Sequence, residues 1–300
     1  MSNRRLLISF SGGETSAYMT KLILDEYCDR YDEVAVVFAN TGQENEQTLE
    51  FVKRCDEAFG FNTVWIEAVV HHGSRRSPTH KIVTYETADR TGQPFEEMIK
   101  KYGIPNKRYA HCTRSLKYYP ITSYVRSLGW KANTYDTAIG IRIDEIDRMT
   151  TDSRKVGIVY PLISWQPTTK PQINSWWAKQ PFRLPLKGYQ GNCKWCWKKS
   201  LRKHLTIMSE MPEAYEFPAR MEAQYSYVGP EFDKAVRHKP LPENYRRVFF
   251  RENRSTEDIK RIYEEKKGQF IPANDDAQVF DETLDVGGGC SESCEVYTDL

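Results

Sequence analysis

No stretch of the chain approaches the about 18 consecutive apolar residues that a membrane-spanning helix requires, so a transmembrane protein is not expected. The opening MSNRRLLISFSGG lacks the apolar core and small-residue cleavage site of a secretory leader. Its apolar stretch, Leu6 to Phe10, is short and runs into glycines, and a cytoplasmic protein is expected. Seven cysteines in that compartment read as reduced thiols or metal ligands, not disulfides. There is no internal repeat and no long low-complexity segment. The most informative absence is of acid: Ser153 to Ser209 holds no Asp or Glu and eleven Lys or Arg. Taken from the overall net charge of +2, that leaves −9 on the remainder. A basic segment on an acidic body fits a polyanionic partner. What the chain does have is apolar matter: at 39% hydrophobic and 13% aromatic over 300 residues it can bury a sizeable core, which excludes wholesale disorder.

The first half alternates between strand and helix patterns. Arg5–Phe10 reads as a buried strand, Glu14 to about Tyr27 as a helix, Glu33–Phe38 as a second strand and Glu44–Phe59 as a second helix. The inner side of that helix is Leu49, Phe51, Val52, Cys55 and Phe59; Asn62–Val70 is a third strand. This spacing predicts a doubly wound, mainly parallel α/β sheet with right-handed crossovers. His71 to Gly92 is polar and irregular, helices follow at Pro94–Tyr102 and Arg114–Leu128, and Thr134–Ile141 and Gly157–Tyr160 complete five strands. After Pro161 repeated prolines break the pattern, and helical periodicity returns from Lys198. The expected organisation is an α/β domain over 1–165 and a basic, Cys-containing, mostly helical extension over 166–300.

Ser11-Gly12-Gly13-Glu14-Thr15-Ser16 lies between the first strand and the first helix. Paired glycines let backbone approach an anion, and the helix behind them offers unpaired N–H groups and the positive end of its dipole. Ser11, Thr15 and Ser16 add hydroxyls. No Gly-Lys-Ser/Thr follows, so this is not a Walker A loop, and the third glycine of a dinucleotide fingerprint is missing. The bland alternative is a plain βα turn, which would suit an isolated SGG; the flanking strand and helix favour the phosphate loop.

Further segments follow in order. Phe38-Ala39-Asn40-Thr41-Gly42 ends the second strand before Glu46–Val52, and Cys112 precedes Lys117 and Pro120. Gly140, Arg142, Asp144, Glu145 and Arg148 fall in one run, and Tyr160-Pro161-Leu162 with Trp165 comes next. With the SGGxxS loop, these resemble the phosphoadenylyl-sulfate (PAPS) reductase-like branch of the adenine-nucleotide α-hydrolases, the PP-loop ATP pyrophosphatases, over residues 7 to about 200. The resemblance implies a five-stranded parallel sheet holding ATP or PAPS across its strand ends. It implies nucleotide contacts from Ser9, Ser11, Gly12, Gly13, Thr15, Ser16, Asn40, Thr41, Gly42, Lys117, Gly140 and Arg142, and catalytic roles for Ser11, Arg142, Asp144 and Arg148. Arginine suits such anions independently, by bidentate donation; the competing reading of Arg142, Glu145 and Arg148 is a set of surface ion pairs. Glu14 departs from the branch, many of whose members carry lysine there. A carboxylate beside pyrophosphate is unfavourable unless it points away or holds Mg2+.

Cys193 and Cys196 form a CxxC, and Cys290 and Cys294 a CxxxC. Thiolates so spaced can grip a soft ion or cluster, and the neighbouring Lys194, Lys198 and Lys199 are expected to depress their pKa. Two ligand sets compete: an iron–sulfur cluster on Cys112, Cys193 and Cys196 with a tail cysteine or an exogenous fourth ligand, or a zinc knot on Cys193, Cys196, Cys290 and Cys294. Cys28 and Cys55 read as core, and His111 as a candidate ligand or proton donor. The acid-free window interleaves aromatics such as Trp176, Trp177, Trp195 and Trp197 with Lys187, Lys194, Lys198, Lys199, Arg202 and Lys203. That mixture suits tRNA or DNA, the competing reading being core tryptophans and a solvated lysine face. The resulting expectation is adenylation at the expense of ATP, followed by sulfur transfer to a nucleic-acid base from a sulfur donor or thiol carrier. The alternatives are a sulfonucleotide reductase releasing sulfite, and a nucleotide- and nucleic-acid-binding protein without catalysis.

Overall fold

A computed structural model describes residues 4–150, 153–228, 245–274 and 282–285. The strands are β1 (Arg5–Ser9), β2 (Glu33–Asn40), β3 (Val64–Val69), β4 (Thr79–Val83), β5 (Asp136–Ala138) and β6 (Ile158–Val159). They form one six-stranded sheet in the order β4-β3-β2-β1-β5-β6. β1 pairs in parallel with β2 and β5, β2 with β3, and β5 with β6. The helices used below are α1 (Glu14–Leu22), α2 (Glu46–Phe59), α3 (Gln93–Tyr102), α4 (Tyr119–Ser127), α5 (Lys170–Trp177), α6 (Leu201–Glu210), α7 (Glu216–Tyr225) and α8 (Thr256–Lys266).

β1 shows why the sheet is buried on both faces. Side chains alternate along a strand. Leu6 and Ile8 join one cluster with Met19 of α1 and Leu49, Phe51 and Val52 of α2. Leu7 joins the opposite one with Ile121 and Val125 of α4. A two-sided core of this kind is what parallel strands require. α2 stops at Gly60, which adopts φ 65 as its left-handed C-cap.

The five parallel strands are as expected; β4 is an addition, antiparallel to β3 inside the segment read as irregular. It is an edge strand with Ile82 63% exposed, and Lys81 reaches only to Glu67 at 2.9 Å. A strand wet on one side carries no buried apolar run for a sequence reading to find. Beyond residue 165 the chain stays in the same core: Ile173, Trp177 and Phe182 pack with β1 and α2. Trp195 and Trp197 then open another cluster with α3, α6, α7 and Phe249. Among the described residues no helix is long and apolar enough to cross a membrane.

Candidate nucleotide site

The loop after β1 is shaped by two different glycines. Gly12 has φ +82, and a Cβ there would stand 2.8 Å from Thr48 Cγ2 and 3.0 Å from Phe38 Cε2. Gly13 is extended at φ −103 and is the N-cap of α1, with no side chain to cap the helix. The first N–H groups of α1 therefore have no intrahelical acceptor. Ser16 Oγ donates to Gly13 O at 3.0 Å and accepts from Ser11 N at 3.3 Å. With that proton committed, the 2.9 Å contact between the two hydroxyls has Ser11 Oγ as donor. These serines brace the loop, leaving backbone N–H groups to meet an anion.

The loop floors a cleft of about 660 Å3 whose charged lining is Glu14, Arg142, Glu145, Lys170, Arg183 and Lys187. Arg142, Arg183 and Lys187 are each paired with an acid, so what the cleft offers an anion is chiefly the backbone donors at the start of α1. Arg142 Nη1 donates to Thr15 Oγ1 at 3.0 Å, and its guanidinium also meets Asp144 at 3.1 Å and Glu145 at 3.3 Å. Arg148 completes the group, 2.7 Å from Glu145. Partial burial opposes the charge on Asp144, but the Arg142 guanidinium outweighs it and holds the carboxyl below its ordinary range. Gly140 lets this strand end approach α1: a Cβ there would lie 3.1 Å from Ser16 Cα. Glu14 is taken up elsewhere. Arg183 grips both its oxygens at 3.0 Å and Leu184 N donates at 3.2 Å, so the charge of Glu14 is compensated within the protein.

The far wall was not foreseen. Asn192 Nδ2 donates to Ser11 O at 2.7 Å, and Asn192 O accepts from Asn45 N at 3.0 Å. Lys194 N donates to Gln43 O at 3.1 Å, and Trp195 Nε1 to Gln43 Oε1 at 2.6 Å. Residues 191–195 are thus stitched to the turn after β2. Lys170, Asn174 and Arg183 also line the cleft. No spacing signal marks Arg183, because its partner Glu14 is more than a hundred residues away. Asn40, Thr41 and Gly42 do not line it. Asn40 donates to Glu67 and to Asp89 O at 2.7 and 2.8 Å, and Thr41 donates to Glu44. Ser9 is buried at the end of β1.

Residues 5–179 match the phosphoadenosine phosphosulfate reductase domain. The chain belongs to that family. Among its relatives is an uncharacterized nin region protein, ORF290, of Escherichia phage lambda. It is 30% identical over 97% of this chain and 94% of its own. Protein MJ0973 of Methanocaldococcus jannaschii is 25% identical over 55% of this chain and 34% of its own length. A solved structure, the phosphoadenylyl-sulfate reductase of Candida auris in complex with phosphate, aligns at TM-score 0.32 and 15% identity, covering 58% of this chain and 71% of that one.

This member of the PAPS reductase family gives its cysteines a different setting from the one expected. Among the described residues no three His, Cys, Asp or Glu side chains converge to hold a metal. Cys290 and Cys294, which the zinc knot needs and from which the cluster could draw its fourth ligand, lie outside the described residues. Cys112 packs beside the cluster that holds Trp195 and Trp197. Burial, then the charge of Cys196, pushes the Cys193 thiol up, against the pull of Lys199 and Lys117. The lysines do not make it a thiolate, because desolvation wins. His111 is buried with Nε2 donating to Gly103 O at 2.9 Å, a structural role.

The basic window is also corrected. Lys199 and Arg202 are buried, Lys199 donating to Cys193 O at 2.5 Å and Arg202 pairing with Asp285 at 2.8 Å. Lys187 meets Glu210 at 3.3 Å. Trp177, Trp195 and Trp197 are core. A count along the chain could not see the acids that the fold brings from elsewhere. Lys194, Lys198 and Lys203 are half-buried, and of the six expected patch residues Lys187 lines the cleft.

Proposed function

We propose that the cleft binds the phosphates of an adenine nucleotide and that the enzyme cleaves at the α-phosphate, leaving an adenylylated acceptor and pyrophosphate. The observation that supports this best is the uncapped N-terminus of α1 beneath Gly12 and Gly13, facing a cleft that Arg142, Lys170, Arg183 and Lys187 help to line. Backbone donors there, with Lys170 and Lys187, would stabilise the charge that builds on the departing pyrophosphate. Arg142 would hold Thr15 Oγ1 as an acceptor of its own N–H, so that the Thr15 hydroxyl proton turns to the phosphate. Arg142, Asp144, Glu145 and Arg148 then act as a positioning frame around the loop. The acceptor in this reading is a nucleic-acid base, and a sulfur nucleophile would displace AMP from it. The test is pyrophosphate release from ATP with single-stranded RNA or DNA as acceptor. Sustained release favours the reading, and ATP bound without release over hours overturns it.

Family membership favours a second reading, reduction of a sulfonucleotide. There one thiolate attacks the sulfur of PAPS, releasing adenosine 3′,5′-bisphosphate. A second thiol, from a dithiol carrier, then frees sulfite and leaves a disulfide. Sulfite release from PAPS with a dithiol reductant, and no pyrophosphate from ATP, would select it.

A further inference from the structure

We propose that a ridge beside the cleft, formed by Arg75, Arg76, Lys101, Lys107, Arg108 and Arg114, docks a single-stranded nucleic acid. The proposal deepens the acceptor reading above and rests on it for what the strand is delivered to. Its observations are separate. Residues 98–135 contain eight Lys or Arg and no acid. In this second acid-free stretch Lys100 pairs with Glu96 and Glu97, while the outer cations differ from Arg183, Lys187 and Arg202, which the fold pairs with acids. Arg75, Arg76, Lys107, Arg108 and Arg114 are all exposed, and none has an acidic partner among the described residues. The carboxylates of α3 are engaged: Glu97 by His72 and Lys100, Glu96 by Lys100 and Arg220.

Hydrogen bonds tie together the elements that carry these cations. The loop of Arg75 and Arg76 leaves the C-terminal end of β3, on the rim that also carries the phosphate loop after β1. Lys101 Nζ donates to His71 O at 2.7 Å and to Arg76 O at 2.8 Å, fixing that loop to the end of α3. His111 ties the same end to the following helical stretch, its Nε2 bonding Gly103 O. Arg114 is one turn further along that stretch. The ridge therefore starts on the same sheet rim as the phosphate loop.

The chemistry fits nucleic acid over a lipid surface. A membrane-binding face needs exposed aliphatic side chains among its cations, and among the described residues no large exposed aliphatic side chain belongs to this ridge. The exposed ring beside it is Tyr227, 69% exposed, and the adjoining Val228 O would lie 2.5 Å from a Cβ on Gly103. Cations along a backbone with a ring for an unpaired base are the elements of single-strand binding.

The test uses the full chain without nucleotide, so it is independent of ATP cleavage, and reads the polarisation of a labelled 20-nucleotide RNA against salt. Replacing Arg75, Arg76, Lys107 and Arg108 with Ser together should weaken binding at least tenfold at low salt. It should also reduce the slope of log K against log salt by about 3, at roughly 0.7 per phosphate contact. Tyr227→Ala should weaken it by about tenfold. Lys260→Ser/Arg261→Ser, on exposed α8 positions, should leave binding unchanged. An unchanged slope in the quadruple variant, no binding by the parent protein, equal affinity for duplex with Tyr227→Ala silent, or displacement of RNA by phosphatidylglycerol vesicles would each overturn the proposal. If ATP cleavage fails while the quadruple variant loses RNA, the nucleotide reading falls and the docking surface stands.

Discussion

Three glycine-to-alanine changes separate backbone strain, packing and binding. Gly60 has φ +65, and nothing lies within 4 Å of the position a methyl would take. Gly60→Ala should cost only the left-handed conformation, about 1 kcal/mol. Gly12 carries the same kind of strain, at φ +82. Its methyl would also sit 2.8 Å from Thr48 Cγ2, 3.0 Å from Phe38 Cε2 and 3.2 Å from Val52 Cγ2. All three neighbours are held in strand or helix, so overpacking adds about 1–3 kcal/mol and Gly12→Ala should lose about 2–5 kcal/mol. Gly13 is at φ −103, and the nearest atoms to its methyl would be the Asn192 amide and Ser11 Oγ, at 3.8–3.9 Å. Gly13→Ala should stay within about 0.5 kcal/mol of the parent, yet place a methyl where phosphate approaches and weaken ATP binding about tenfold, or 1.4 kcal/mol. Urea unfolding at constant m gives the stabilities and calorimetric titration with ATP the affinity. Gly13→Ala binding ATP like the parent would refute the placement of the phosphates. Gly12→Ala no less stable than Gly60→Ala would refute the packing argument.

Other sites give independent tests. Burial, then Lys199, Arg251 and Arg254, holds His204 well below 6.5. The unfolded chain takes up that proton below about 6.5 and the folded chain does not, so stability is fully present above that pH and falls as pH drops. The loss should be up to about 1.4 kcal/mol per pH unit, and urea midpoints from pH 7 to 5 should flatten in His204→Phe. Glu222 is buried and accepts from Phe249 N at 3.0 Å and Thr256 N at 2.7 Å. Glu222→Ala strands both donors and should cost about 2–5 kcal/mol by the same assay. Arg202→Ala leaves the Asp285 carboxylate without its guanidinium and should cost about 3 kcal/mol, whereas Arg202→Met/Asp285→Leu should recover most of it.

The parts legible in the sequence were those whose partners are local. The SGG turn, the apolar stripe of α2 and the Arg142–Arg148 run each declare themselves within one or two turns of chain. β4 was hidden because Ile82 faces solvent, so the expected burial signal is absent. The charge reading failed for Arg183, Lys187 and Arg202 because Glu14, Glu210 and Asp285 reach them only in the fold. Trp177, Trp195 and Trp197 of the same window went to the core for the ordinary reason that rings bury more area than they can usefully expose. Asn40 to Gly42 carry a family-like pattern, yet their hydrogen bonds turn inward to Glu67, Asp89 and Glu44. A motif there fixes the turn rather than the cleft lining.

The stitching of residues 191–195 to Gln43 and Asn45, and of Asn192 to Ser11, spans roughly 150 to 180 positions of chain. Such closures come late, since their entropy must be met before the contacts reward it. During synthesis the strands through β3 and the Gly12 turn would leave the ribosome long before the wall that completes the cleft. A nascent chain shorter than about 195 residues would hold a phosphate loop open on one side. Binding competence would then arrive in one step with Trp195, whose ring also begins the cluster around α3 and α7. Assembly of the second core and maturation of the site would be a single event, so a lesion among those aromatic side chains would present as lost activity as readily as lost stability.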